Sequence, residues 1–207
     1  MVSIARDDAT QPQDAAHHGP PPAIPDFDIV PRVGLVLAGV ILVGLIVVVA
    51  TGGLWALEFT HVVFGAGWTI IDLFLGFIIG PILGSLSIPA RIEFTTKFMP
   101  KMVVLMPAIV TATLVAGWQL STHLQTNLSS YPQHGWVVAS MIVVGVMAIV
   151  ALGLLEPANI AVLIELKKPR PNPQVIERLM KRFIYAAGIT GLMQVATFVI
   201  MTKLASS

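Results

Sequence analysis

Five long apolar stretches, at 33–50, 62–88, 102–120, 136–155 and 183–202, fill most of this 207-residue chain. Each has 18 to 27 residues, and about 20 helical residues at roughly 1.5 Å each cross a hydrocarbon core of about 30 Å. Backbone polar groups have no partner in lipid except within helices or closed barrels, and β spans are about half this length. The stretches are therefore predicted to be transmembrane helices. Composition agrees: 56% of residues are hydrophobic and only 11% charged, against about 45–50% and about 25% in soluble proteins. So few charges cannot cover a water-exposed surface, which excludes a soluble enzyme. A net charge of +1 leaves no field to attract a polyanion, so no nucleic-acid partner is expected.

The predicted fold class is all-α: a polytopic membrane protein with the lipid bilayer as its principal partner. Residues 1–31 hold six of the fifteen prolines and five aspartates and read as an extended tail preceding a transmembrane domain at 32–207. No apolar run precedes Val33, so no cleavable secretory signal is expected. Of the twelve basic residues, eleven fall on one side of the five spans, and Lys203 alone falls on the other. The positive-inside rule then predicts a multi-pass plasma-membrane protein with a cytoplasmic N-terminus and an external C-terminus. Trp55, Trp68, Trp118 and Trp136 are all expected at the outer interface, where an indole keeps its N–H wet.

A weak repeat at a shift of 68 residues pairs Gly67-Trp68 with Gly135-Trp136, and Pro89-Ala90-x-Ile92 with Pro157-Ala158-x-Ile160. It suggests two duplicated hairpins, spans 2–3 and 4–5, forming a four-helix core with span 1 at its edge.

The chain has no cysteine, so a metal would need histidine, methionine or oxygen ligands. His61, His123 and His134 all map to the predicted outer ends of spans. If spans 2 and 3 are neighbours, His61 and His123 can face one another as axial ligands of a haem b, and the three imidazoles together are the candidate metal ligands. The plainer reading is polar residues at wet helix ends. Glu58, three residues before His61, is a candidate to fix its tautomer. Gly65, Trp68 and Asp72 continue one helical stripe inward from His61, and a flat macrocycle or quinone would lie against the small residue. Asp72 is the one acid well inside an apolar span, which is expensive unless it is paired, protonated or hydrated, and proton exchange is its candidate role. The alternative is a protonated carboxyl bonded to a neighbouring helix.

The run from His61 to Trp118 resembles the paired-helix unit of the CopD-like membrane proteins, which look related to the HemJ-type proteins. The features that carry the likeness are His61 opening a helix, Gly67-Trp68, Pro81, the basic segment from Arg91 to Lys101, and Gly117. The resemblance implies a membrane bundle that binds haem b or handles copper. The expected function is thus an integral membrane protein in an electron-transfer setting, binding haem b or interacting with quinone near the outer face. The alternatives are a non-catalytic accessory subunit among other membrane-protein subunits, and copper transport.

The sidedness is testable directly, because any introduced thiol is unique in a cysteine-free chain. An impermeant maleimide is expected to label Thr51→Cys and Ser130→Cys on intact cells, and Lys97→Cys and Asn172→Cys only after permeabilisation.

Overall fold

The structure, a computed structural model, describes residues 26–126 and 128–206. Residues 1–25, most of the expected tail, lie outside the described residues. Among the described residues the regular structure is all helical, in five helices long and apolar enough to cross a membrane: α1 (Arg32–Thr51), α2 (Leu54–Ser85), α3 (Ile88–His123), α4 (His134–Leu166) and α5 (Pro173–Ala205). The last four have 32 to 36 residues, or about 50 Å at 1.5 Å per residue. Each is longer than the hydrocarbon core. Helix α3 begins at Ile88, fourteen residues before its apolar stretch, and includes Arg91, Lys97 and Lys101. The helices therefore continue past the spans that hydropathy marks.

Helices α2 to α5 form a closed four-helix ring, α2 against α3, α3 against α4, α4 against α5 and α5 against α2, and α1 lies outside it, chiefly on α3. Peripheral α1 buries only Ala38 and Leu45. It reaches α2 through Gly52 and Gly53. Gly52 has φ +62°, and its N–H bonds Val48 O, the left-handed helix stop that a side chain would strain.

Helices α2 and α4 each contain one wide π turn, Leu75–Ile79 and Ala151–Leu155. Pro81 and Pro157 follow two residues later. A proline ring clashes with the carbonyl four residues before it, here Phe77 and Gly153. Both carbonyls sit inside the π turn, whose wider spacing relieves the clash. The π turns and their prolines are related by 76 residues. In α3 and α5 the segments Pro89-x-x-Ile92-Glu93-x-x-x-Lys97 and Pro173-x-x-Ile176-Glu177-x-x-x-Lys181 are related by 84. Each carries the same ion pair one turn apart, Lys97–Glu93 at 2.6 Å and Lys181–Glu177 at 2.8 Å. The two hairpins thus correspond, but not in the 68-residue register. Under that register Pro89, which opens α3, would match Pro157, which lies inside α4. The register grows from 76 to 84 because α4 runs further past its proline than α2 does and the linker after it is longer.

The basic residues collect at one end of the ring. There Lys167 bonds Asp26 at 3.2 Å and sits 4.6 Å from the Phe27 ring centroid, which brings the segment before α1 to the start of the α4–α5 loop. Lys168 of that loop pairs with Glu165 in the last turn of α4, and Glu165 also accepts from Asn172 N–H. Trp55, Trp118 and Trp136 are exposed toward the opposite end. Trp68 is not with them: α2 starts at Leu54, so Trp68 lies well inside the ring and is buried.

Glycine sets the closest helix contact. A Cβ on Gly76 of α2 would fall on the Gly188 backbone of α5, with the Gly188 nitrogen at 2.9 Å, and one on Gly191 would stand 3.0 Å from the nitrogen of Leu73. Small residues here let two backbones meet, which is how helices associate where lipid is as apolar as leucine. Gly76→Ala and Gly191→Ala are expected to lower stability by about 1–3 kcal/mol through overpacking. Gly145→Ala, where a Cβ meets nothing within 4 Å, should be neutral or mildly stabilising in thermal unfolding of the detergent-solubilised protein.

Candidate functional site

The α2–α5 contact carries Asp72 into the centre of the ring. Its side chain is 1% exposed. Thr190 Oγ1 donates to Asp72 Oδ2 at 2.8 Å and Gln194 Nε2 donates to the same oxygen at 3.1 Å, both from the facing side of α5. Thr190 Oγ1 is also 3.0 Å from Ala186 O and 2.9 Å from Ala187 O. A hydroxyl has one proton and two acceptor lone pairs. It can donate to an ionised Asp72, or accept from a protonated Asp72 while donating to its own helix. Either charge state of the carboxyl therefore has a partner. Among the described residues no ion pair involves Asp72, and an isolated charge buried in a low-dielectric core is costly.

Asp72 also lines an internal cavity, with Trp68 on the same helix, Met106 and Pro107 on α3, and Glu156 and Asn159 on α4. Trp68 and Asn159 are 2% and 1% exposed. Among the described residues both polar atoms of the Asn159 amide are buried without a protein partner, a state that costs about 1–3 kcal/mol per atom when nothing fills it, and the buried Trp68 indole N–H lies beside the Asp72 carboxyl. Asn159 and Glu156 were absent from the candidates that sequence reasoning selects. Both follow the π turn of α4 at the end of an apolar run, where hydropathy places a wet helix end rather than a core.

The sequence-predicted residues separate into different places. His61 is the eighth residue of α2 and packs on α3: its Nδ1 is 2.9 Å from the backbone oxygen of Thr113, and a Cβ on Gly117 would stand 2.6 Å from its ring. With Nδ1–H donating to that carbonyl, Nε2 is left as the free acceptor. The group that orients the ring is thus a backbone carbonyl. Glu58, expected to do so, is exposed one turn away. His123 ends α3 six residues beyond Gly117, and its ring lies against Gly52 of the α1–α2 turn, with Cε1 3.6 Å from a Cβ built there. The two imidazoles thus occupy separate niches on α3, about 9 Å apart along its axis as judged from Gly117 to His123. His134 opens α4. Among the described residues no group of three His, Cys, Asp or Glu side chains is assembled to hold a metal, so the His61, His123 and His134 centre is not formed. The gap expected at Gly65 is also filled, since the Thr113 methyl lies 3.4 Å from where a Cβ would stand. A macrocycle has no slot between α2 and α3 there.

No family model, curated protein or solved structure matches the chain.

The Asp72 bonds are expected to couple measurably. Thr190→Val should cost about 0.5–1.7 kcal/mol, the range that interhelical side-chain bonds reach in membranes. The cost should fall toward zero in an Asp72→Leu background, as read from a double-mutant cycle of unfolding in mixed micelles.

Proposed function

We propose that the chain is a multi-pass plasma-membrane subunit in an electron-transfer setting, with the basic end cytoplasmic, that interacts with quinone at its outer half and handles protons at Asp72. The observation that carries this reading is the Asp72 site: a carboxyl inside a lipid-embedded ring whose partner hydroxyl suits either protonation state. Quinone chemistry moves electrons together with protons, and such a carboxyl is a proton donor or acceptor out of reach of bulk water.

His61 supports the same reading from the opposite end of one α2 stripe, about three turns from Asp72. Its Nδ1 is held by Thr113 O, so Nε2 is oriented to accept from a quinol hydroxyl arriving from the lipid beside exposed Val62 and Val63. The same geometry would suit a single imidazole ligand to a haem b iron lying outside the bundle, since a ligating imidazole ordinarily has its second nitrogen fixed by a carbonyl or carboxylate. Quinone is the better fit. A quinone needs one polar contact at the lipid face, whereas a haem held by both His61 and His123 needs a slot between helices that are in contact.

An accessory role inside a larger membrane complex is the second reading. It rests on α1, most of whose apolar surface the other described residues leave uncovered. Copper handling has less support, because the imidazoles are dispersed.

A photoactivatable azidoquinone added to membranes is expected to label α2 near His61, and His61→Phe should lower the labelling at least about tenfold, the equivalent of about 1.4 kcal/mol. A reduced-minus-oxidised α-band lost in His61→Ala would replace quinone with haem b. Neither label nor band, in a protein that copurifies stoichiometrically with other subunits, would leave the accessory role.

A further inference from the structure

Among the described residues both polar atoms of one side chain lining the cavity, Oδ1 and Nδ2 of Asn159 from α4, have no protein partner, while the Trp68 indole N–H from α2 lies beside the Asp72 carboxyl. The cavity has about 20 Å³ open to the centre of a water-sized sphere, more than the roughly 10–15 Å³ that a single water needs. Buried waters typically make about three hydrogen bonds, to groups that would otherwise be unsatisfied. Donors and acceptors are both present: an indole N–H, an amide N–H, an amide oxygen and the carboxyls of Asp72 and Glu156, which line the same space. The rest of the lining, including Leu75, Val110, Leu155 and Phe183, is apolar and makes up nearly all of the cavity surface.

We propose that this cavity holds water that continues the hydrogen bonds of Asp72 to Asn159 and Glu156, and that it is the route by which protons reach Asp72 from the basic end. This rests on the reading of Asp72 as a proton-exchanging group. The placement along the helices gives the route its direction. Asp72 lies thirteen residues from the basic end of α2, Glu156 ten and Asn159 seven from the same end of α4, or about 20, 15 and 10 Å at 1.5 Å per residue. The polar groups descend toward the end of α4, where Glu165 pairs with Lys168 of the following loop.

The step is a proton transfer without net electron movement. A water bonded to both carboxyls gives one of its protons to ionised Asp72 and takes the proton of Glu156, so that one O–H bond forms on Asp72 as another breaks on Glu156. Asn159 and Trp68 hold the water in place and do not themselves carry the proton. Glu156 is the other titratable side chain that lines the cavity. The remaining elements present Thr190 and Gln194 from α5, and Met106, Pro107 and Val110 from α3, to Asp72 or to the cavity.

Infrared difference spectroscopy of the full chain in liposomes tests this by hydrogen–deuterium exchange. A protonated-carboxyl band lost in Asp72→Asn identifies the Asp72 proton, and the rate at which D₂O shifts that band measures access. Asn159→Leu and Glu156→Gln are each expected to slow the shift at least about tenfold. Asn159→Ser, which keeps a hydroxyl on the water, should recover most of the rate and shows that slowing is not misfolding. If the Asp72 band is present but exchanges equally fast in all three variants, the route is wrong and the proton-exchanging Asp72 stands. If no such band exists at any pH, both are wrong. Slow exchange in Asn159→Leu that Asn159→Ser does not relieve also overturns the route, in favour of a packing role for that side chain.

Discussion

Close backbone contact between α2 and α5 is the constraint from which the rest of the bundle follows. Gly76 and Gly191 stand where any Cβ would meet the opposing helix. Only at that separation can a side chain as short as Asp72 bond the hydroxyl of Thr190 across the interface. A longer interaxial distance would leave the carboxyl unsatisfied in a medium that offers no substitute donor. Packing by small residues and satisfaction of the buried acid are therefore one solution, since each makes the other possible.

The two hairpins share their architecture and differ in what it contains. Applying the 76- and 84-residue offsets, the counterpart of Asp72 is Ala148, and the counterparts of Thr190 and Gln194 are Met106 and Val110. One half of the ring is thus polar where the other is apolar. The apolar counterparts on α3 close the cavity from the opposite side. A ring built from two matching units holds a buried acid at its centre, hydrogen-bonded by Thr190 and Gln194 of α5.

Much of the fold was legible because lipid imposes a simple rule on average hydropathy and length. The five helices and the separation of basic residues from Lys203 follow from that rule, and the peripheral place of α1 from the likeness between the other two pairs of spans. Helix ends were not legible, because residues 88–101 carry Arg91, Glu93, Lys97 and Lys101 and a charged helix outside the bilayer has the composition of a loop. Asp72 was readable as an anomaly in its surroundings. Its partners were not, because which face of α5 meets α2 is decided by glycines whose contacts are three-dimensional. The expected meeting of His61 and His123 failed for a related reason: helices of opposite direction share a depth only if their ends are known, and α2 starts eight residues before the apolar stretch at 62. The 68-residue register matched tryptophans and prolines by identity, whereas the physical correspondence runs through the two prolines that each need a widened turn.

Those widened turns also divide α2 and α4 into halves with separate phases. An inserted residue turns everything beyond it by about 100° around the axis, so the stripe that faces inward above Leu75 or Ala151 is not the stripe that faces inward below. Along α2, the upper stretch aims Trp68 and Asp72 at the bundle axis, while the lower stretch is free to aim Leu83 there on a different azimuth. Each rod behaves as two shorter ones joined end to end, and in α4 the turn sets Glu156 and Asn159 on the azimuth that faces the Asp72 cavity.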